Sequence, residues 1–144
     1  MKTLIKVSGD LIANIEVIEK IKELAKSSQI TLIHGAGTSI SNALDKAGIP
    51  YEFKNGIRNT CDEGLKICLD ESCKIRTTIE KMLEGYDVEI ISPCINNDGK
   101  IINSNAEEIF RNIHEDFDEK IIFTISDREK PLIGRIKDIK IIKM

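Results

Sequence analysis

Two short glycine turns, each lying between an apolar strand pattern and an amphipathic helix pattern, constrain the fold of this chain most. The first, Ser8-Gly9, follows the strand pattern 2–7, and the second, residues 34–37, follows the apolar run 30–33. Glycine permits close backbone approach and a positive φ, and the start of a helix offers unpaired N–H groups and a positive dipole end. Each turn is therefore predicted to be a cradle for an anion such as phosphate.

The remaining sequence continues this alternation of strands and helices. Apolar spacing predicts helices over 12–25, 40–47, 62–83 and 106–113, strands over 2–7, 30–33, 88–91, 121–125 and 136–142, and a hairpin at the Asp-Gly of 98–99. The segment 50–58 is interpreted as a connector, and Asn105 as the cap of the last helix. The pattern predicts an α/β fold, a three-layer α-β-α sandwich with a mainly parallel sheet, whose ligands lie at the carboxyl ends of the strands.

Composition limits the classes of protein that fit this chain. Its 144 residues are 41% hydrophobic, which predicts a single domain over 1–144 that folds without a structural metal. With a net charge of -3 the chain offers no positive electrostatic field for general nucleic-acid binding. We expect no signal peptide and no membrane-spanning segment, because no apolar stretch is long enough. The spacing of the four cysteines matches no zinc motif, so free thiols in a cytoplasmic protein are expected.

Two positively charged residues suggest how an anion would be held. Lys6, at the end of the first strand pattern, supplies a mobile positive charge beside the amide donors of both turns. Arg58 offers a planar fork that suits a carboxylate. His34 is interpreted as a packed or hydrogen-bonded turn residue rather than a general base.

Four motifs in this order resemble the N-terminal lobe of the amino-acid kinase superfamily, and most closely that of the acetylglutamate kinases. The motifs are Lys6-Val7-Ser8-Gly9, Ile33-His34-Gly35-Ala36-Gly37, Asn55-Gly56-Ile57-Arg58, and the stretch from Ile90-Ile91-Ser92-Pro93 through Asp98-Gly99 to Asn103-Ser104-Asn105-Ala106-Glu107. The resemblance extends over roughly residues 1–127. The chain stops before the position of that family's second, nucleotide-binding lobe, so the N-terminal lobe alone is expected.

The resemblance implies a role for each matched residue. Lys6 and Glu107 would be catalytic, Ser8, Gly9, Gly35, Ala36 and Gly37 would bind the transferring phosphoryl group, and Arg58, Asn103 and Asn105 would bind the substrate. Ser8 and Ala36 stand where the family has glycine, and Glu107 where it has Asp. A Cβ in a phosphate turn clashes where φ must be positive, but a turn with negative φ would accept it.

The activity implied by the resemblance is phosphoryl transfer from Mg-ATP to a small carboxylate, with a carboxylate or phosphorylated metabolite as ligand. Two alternatives remain open at this point. The chain could be a non-catalytic ligand-sensing or assembly module derived from the kinase fold, or one half of a split kinase whose nucleotide-binding subunit is a separate polypeptide. A homodimer is also expected, with the predicted helix 62–83 as its self-pairing surface.

Overall fold

Five parallel strands form the central sheet of the protein. The computed structural model describes residues 1–125, 136 and 138–144. The sheet strands are β1 (Lys2–Val7), β2 (Gln29–His34), β5 (Val88–Ile91), β8 (Glu119–Thr124) and β9 (Ile139–Lys143), in the order β5-β2-β1-β8-β9. The first strand lies at the centre of the sheet, and its neighbour β2 runs beside it from Lys2↔Gln29 to Val7↔His34. The turns that follow these two strands therefore emerge side by side.

Helices cover both faces of the sheet, because alternate side chains of each strand point to opposite sides. On one face, Ile5 and Leu32 pack with residues of α1 (Ile15–Ala25) and the end of α3 (Asp62–Met82). On the other face, Leu4 and Ile33 pack with Phe110 of α4 (Ala106–Ile113). The expected α/β architecture with a mainly parallel sheet is confirmed.

A third apolar cluster lies beside the sheet. It joins α2 (Gly37–Ala47) to α3 and to the hairpin of β6 (Cys94–Asn97) and β7 (Lys100–Asn103), through the buried residues Ala36, Ile40, Leu44, Cys68 and Cys94. The hairpin turns at Asp98 and Gly99, which both have positive φ, as their sequence predicts. This packing fixes the start of α2 against the hairpin and α3.

The interpretation of residues 50–58 as a connector without strands is wrong. The segment 50–58 belongs to an antiparallel hairpin of β3 (Tyr51–Lys54) and β4 (Ile57–Thr60). Asn55 and Gly56 have φ values of 53° and 78°, which suit the tight turn of a two-residue hairpin loop. The Asn-Gly pair is the sequence signal that this prediction overlooked.

Element ends differ slightly from the predictions. The first helix begins at Ile15 rather than at residue 12, because the Asn14 side chain accepts hydrogen bonds from the backbone N–H groups of Glu16 and Val17 and so caps the helix there. The last strand begins at Ile139 and pairs with β8 in parallel. Within its predicted range 136–142, Lys137 lies outside the described residues.

The helices of the described residues are too short or too polar to cross a bilayer.

Candidate functional site

The two glycine loops are in direct contact at the carboxyl end of the sheet. A Cβ added to Gly9 would lie 2.7 Å from the carbonyl oxygen of Gly35, and one added to Gly35 would lie 3.2 Å from the backbone N of Gly9. The N–H of Ser8 donates to the carbonyl of Phe123 (3.2 Å), and that of Gly35 donates to the carbonyl of Val7 (2.9 Å). A glycine is therefore required at residue 9 because the backbones of the two loops approach each other closely there, and not because a positive φ is needed.

The residues beside these glycines have negative φ. Ser8 has a φ of -57° and Ala36 a φ of -150°, so neither is strained by its Cβ. The Ala36 side chain is buried in the cluster between α2 and α3. The two departures from the glycine pattern are thus compatible with the observed loop conformation.

The start of α2 faces the same space. Its N-cap residue, Ala36, makes no side-chain capping hydrogen bond, and its first turn contains no acidic residue. A Cβ added to Gly37, the first residue of α2, would have nothing within 4 Å apart from its chain neighbours and the helix backbone. The fold therefore leaves open space beside the first residue of this helix, at its positive end.

Two buried cations line the cleft next to these loops. Lys6 is 4% exposed at the end of β1, and Arg58 is 7% exposed on β4. The Arg58 guanidinium lies 4.4 Å from the ring centre of Tyr51 and 4.7 Å from that of Phe53. It donates to the carbonyl of Gly37 (3.1 Å) and to the hydroxyl of Ser41 (3.0 Å). Stacking and hydrogen bonds therefore hold this side chain against the start of α2.

Asn103 and Asn105 fasten the β3–β4 hairpin to the start of α4. The Asn103 amide donates to the carbonyl of Arg58 (3.0 Å), and the Asn105 amide donates to the carbonyl of Gly56 (2.7 Å). The Asn105 side-chain oxygen also accepts from the N–H of Glu107 (2.8 Å), so Asn105 is the expected helix cap. Both asparagines therefore hold the hairpin in place over the cleft.

The residues assigned from the sequence meet in one cleft of about 230 Å³. It is lined by all ten of them, Lys6, Ser8, Gly9, Gly35, Ala36, Gly37, Arg58, Asn103, Asn105 and Glu107. The sequence reasoning missed Asp10, Ile40, Phe53 and Pro93, which also line the cleft. Asp10 accepts a hydrogen bond from the hydroxyl of Thr38 (3.1 Å). Proximity to Gly9 in the sequence was the signal for Asp10, and Phe53 and Pro93 lie beside or within the matched motifs, but nothing local pointed to Ile40.

His34, the last residue of β2, is fully buried and immediately precedes Gly35. Its ring contacts the carbonyl of Gly35 at 3.1 Å through Nδ1 and the hydroxyl of Ser92 at 2.8 Å through Nε2. Burial lowers the pKa of His34, opposed by the hydrogen bond to Gly35 and assisted by the positive charge of Arg76. A neutral, hydrogen-bonded ring agrees with the packed role expected from the sequence.

Within the described part of the chain, no group of three or more His, Cys, Asp or Glu side chains could hold a metal ion. No protein-family model matches the sequence. A stretch of 43 residues is 35% identical to the acetylglutamate kinase of Brevibacillus brevis, which corresponds to 30% of this chain and 16% of that kinase.

Solved structures match a much larger part of the chain. N-acetylglutamate synthase from Neisseria gonorrhoeae, complexed with coenzyme A and L-arginine, superposes with a TM-score of 0.71 and 15% identity, over 90% of this chain and 45% of that one. The same synthase with coenzyme A and N-acetylglutamate gives a TM-score of 0.68 with 16% identity, over 88% of this chain and 42% of the synthase chain. The smu.665 protein from Streptococcus mutans UA159 gives a TM-score of 0.61 with 15% identity, over 88% of this chain and 73% of the smu.665 chain.

The chain shares its fold with the matched part of these structures. It spans less than half of the synthase chains. The names of the matched kinase and of the synthase both refer to acetylglutamate.

Proposed function

We propose that the cleft binds a small acylated amino acid of the N-acetylglutamate type, and that the N–H groups of Gly9, of Ala36 and of the start of α2 receive its negative charge. The observation that carries this proposal is the contact between the two loops beside Lys6 and Arg58, which gathers two buried cations and the start of α2 around one cleft. Backbone N–H groups and lysine or arginine are the usual partners of carboxylates and phosphates.

The mixed lining of the cleft favours an acylated amino acid over a bare anion. Lys6 and Arg58 suit its carboxylates, and Asp10 and Glu107 can accept from its amide N–H. Phe53, Ile40 and Pro93 offer apolar surface for the acyl group. A volume of about 230 Å³ lies below the roughly 300–1,000 Å³ of pockets for drug-sized ligands, so a metabolite of this size fits better than a whole nucleotide. The names of the matched kinase and synthase agree with this class.

Calorimetric titration with N-acetyl-L-glutamate tests the proposal. Unacylated L-glutamate, which lacks only the acetyl group, is the comparison ligand. The Lys6→Met variant is expected to bind N-acetyl-L-glutamate about 10- to 100-fold more weakly, because a charge-assisted hydrogen bond is lost. Lys120→Met is the control, because Lys120 lies at the amino end of β8 and does not line the cleft. Equal affinity in wild type and Lys6→Met, or no binding by the wild type, would refute the proposal.

Phosphoryl transfer to the bound carboxylate is a second candidate, favoured by the presence of glycine loops after two adjacent strands. Mg-ATP would supply the phosphoryl group when bound. The amides near Gly9 and Gly37 and the charge of Lys6 fit its terminal phosphate, while the cleft volume leaves the adenosine outside the enclosed space. ADP release that depends on N-acetyl-L-glutamate would support transfer. Binding without ADP release would instead support a sensing module or a site completed by a separate nucleotide-binding chain.

A further inference from the structure

A chain of hydrogen bonds runs from the outer helix α3 to the second glycine loop. Arg76 on α3 pairs with Glu80 (3.2 Å) and donates from Nη1 to the hydroxyl of Ser92 (3.3 Å). That hydroxyl lies 2.8 Å from Nε2 of His34, whose Nδ1 lies 3.1 Å from the carbonyl oxygen of Gly35. The chain thus links a partly exposed ion pair to the backbone of the loop through a fully buried imidazole.

The chemistry of these groups fixes the direction of each hydrogen bond. A carbonyl oxygen only accepts, so Nδ1 of His34 carries the proton. In a neutral ring Nε2 must then accept, and the Ser92 hydroxyl donates to it. The Ser92 oxygen in turn accepts from Arg76, so each group in this series of hydrogen bonds acts as the donor or acceptor that its chemistry allows. The arrangement selects one tautomer of His34.

This tautomer determines how the loop peptide is turned. The N–H of Gly35 donates to Val7, and its carbonyl accepts from His34, so both backbone polar groups of Gly35 are engaged. A trans peptide places its C=O and N–H on opposite sides. Holding the Gly35 carbonyl on the imidazole therefore turns the N–H of Ala36 away from the ring. Ala36 lines the cleft and immediately precedes α2.

We propose that His34 is a positioning residue for the anion site, which holds the Gly35–Ala36 peptide so that the N–H of Ala36 serves the ligand. This inference rests on the proposed function of the cleft. His34 itself does not contact the ligand. Ser92 and Arg76 support it by keeping Nε2 an acceptor.

Two amide variants separate the two hydrogen bonds of the ring. His34→Asn places an amide donor near the position of Nδ1 and keeps the bond to Gly35, whereas His34→Gln places its amide near the position of Nε2 and keeps only the contact with Ser92. Each variant loses one hydrogen bond, so their thermal stabilities are expected to be similar. Their affinities for N-acetyl-L-glutamate are expected to differ by about tenfold in favour of His34→Asn, since only that variant holds the loop.

Nitrogen NMR of the imidazole provides a readout that needs no ligand. The wild type is expected to show the Nδ1–H tautomer, and the Ala36 amide signal is expected to stay near its wild-type position in His34→Asn but to shift in His34→Gln. An Nε2–H tautomer would overturn the inference. So would equal affinities of His34→Asn and His34→Gln for N-acetyl-L-glutamate, provided that the wild type binds this ligand. A wild type that binds no N-acetyl-L-glutamate would instead refute the proposed function, and the inference would fall with it.

Discussion

At the scale of single residues, the glycines of the two loops have different tasks. Gly9 is needed because the backbone of Gly35 lies where its Cβ would be, while Gly37 has open space at the same position. The sequence motif presents the two as equivalent, because it records residue type and not distance. Only contact with another loop distinguishes a glycine required by the fold from one that leaves room for a ligand.

Substitution of each glycine by alanine is expected to separate stability from binding. Gly9→Ala should lower the free energy of unfolding by about 1–3 kcal/mol, because the added methyl group forces the two loops apart. Gly37→Ala should leave it unchanged within about 1 kcal/mol, because alanine is tolerated in helices. Urea denaturation followed by circular dichroism measures both.

The binding of N-acetyl-L-glutamate completes this comparison. A methyl group at residue 37 would occupy the space over the start of α2, so affinity should fall by about tenfold or more although the fold is intact. Full affinity in Gly37→Ala would show that the ligand does not approach this helix end.

At the scale of elements, the hairpin formed by β3 and β4 is the part of the site that depends most on side-chain contacts from elsewhere. Its turn follows from Asn55-Gly56, but its position follows from Asn103 and Asn105, which bond to backbone carbonyls 45 and 49 residues away. Arg58 reaches the start of α2 only because the hairpin is held in this position. An asparagine that caps a helix can therefore also organise the site.

Replacement of Asn105 by alanine tests this double role. We expect Asn105→Ala to lower stability by about 1–2 kcal/mol through the lost cap and to weaken binding of N-acetyl-L-glutamate, because Gly56 loses its partner and the hairpin loosens. Hydrogen exchange at the amides of β4 should become faster.

Asn14→Ala is the matched control, since Asn14 caps α1 and its side-chain hydrogen bonds are confined to that helix start. It should cost about 1 kcal/mol of stability and leave ligand affinity unchanged. A similar loss of affinity in both variants would indicate that Asn105 acts only as a cap.

At the scale of the whole molecule, three apolar clusters hold the sheet, the helices and the hairpins together. The buried cysteines belong to the third cluster, where Cys68 of α3 meets the β6–β7 hairpin. Burial raises the pKa of Cys68, and burial assisted by the neighbouring Cys68 and Cys73 raises the pKa of Cys94 to about 12. Cys61 immediately precedes α3 and is exposed, so it takes no part in this packing.

Thiol labelling with Ellman's reagent near pH 8 should divide the cysteines into two classes. Cys61 and Cys73 are exposed and should react quickly, whereas Cys68 and Cys94 should react only as the molecule unfolds, because the thiolate is the reactive form and both are buried. The Cys61→Ser, Cys73→Ser double variant should retain only the slow class. Rapid labelling of a third thiol below the urea transition would contradict the packing of this cluster.

By itself the sequence determined which segments form the central sheet and the helices, although the β3–β4 hairpin was missed, and that the glycine turns follow neighbouring strands of a parallel sheet. These properties depend on apolar periodicity and turn chemistry within a few residues of the chain. It could not determine that Gly9 touches Gly35, that Arg58 bonds to Gly37, or that His34 contacts Ser92. Those contacts join separate elements, and only the packing of the sheet and hairpins decides which side chains reach one another.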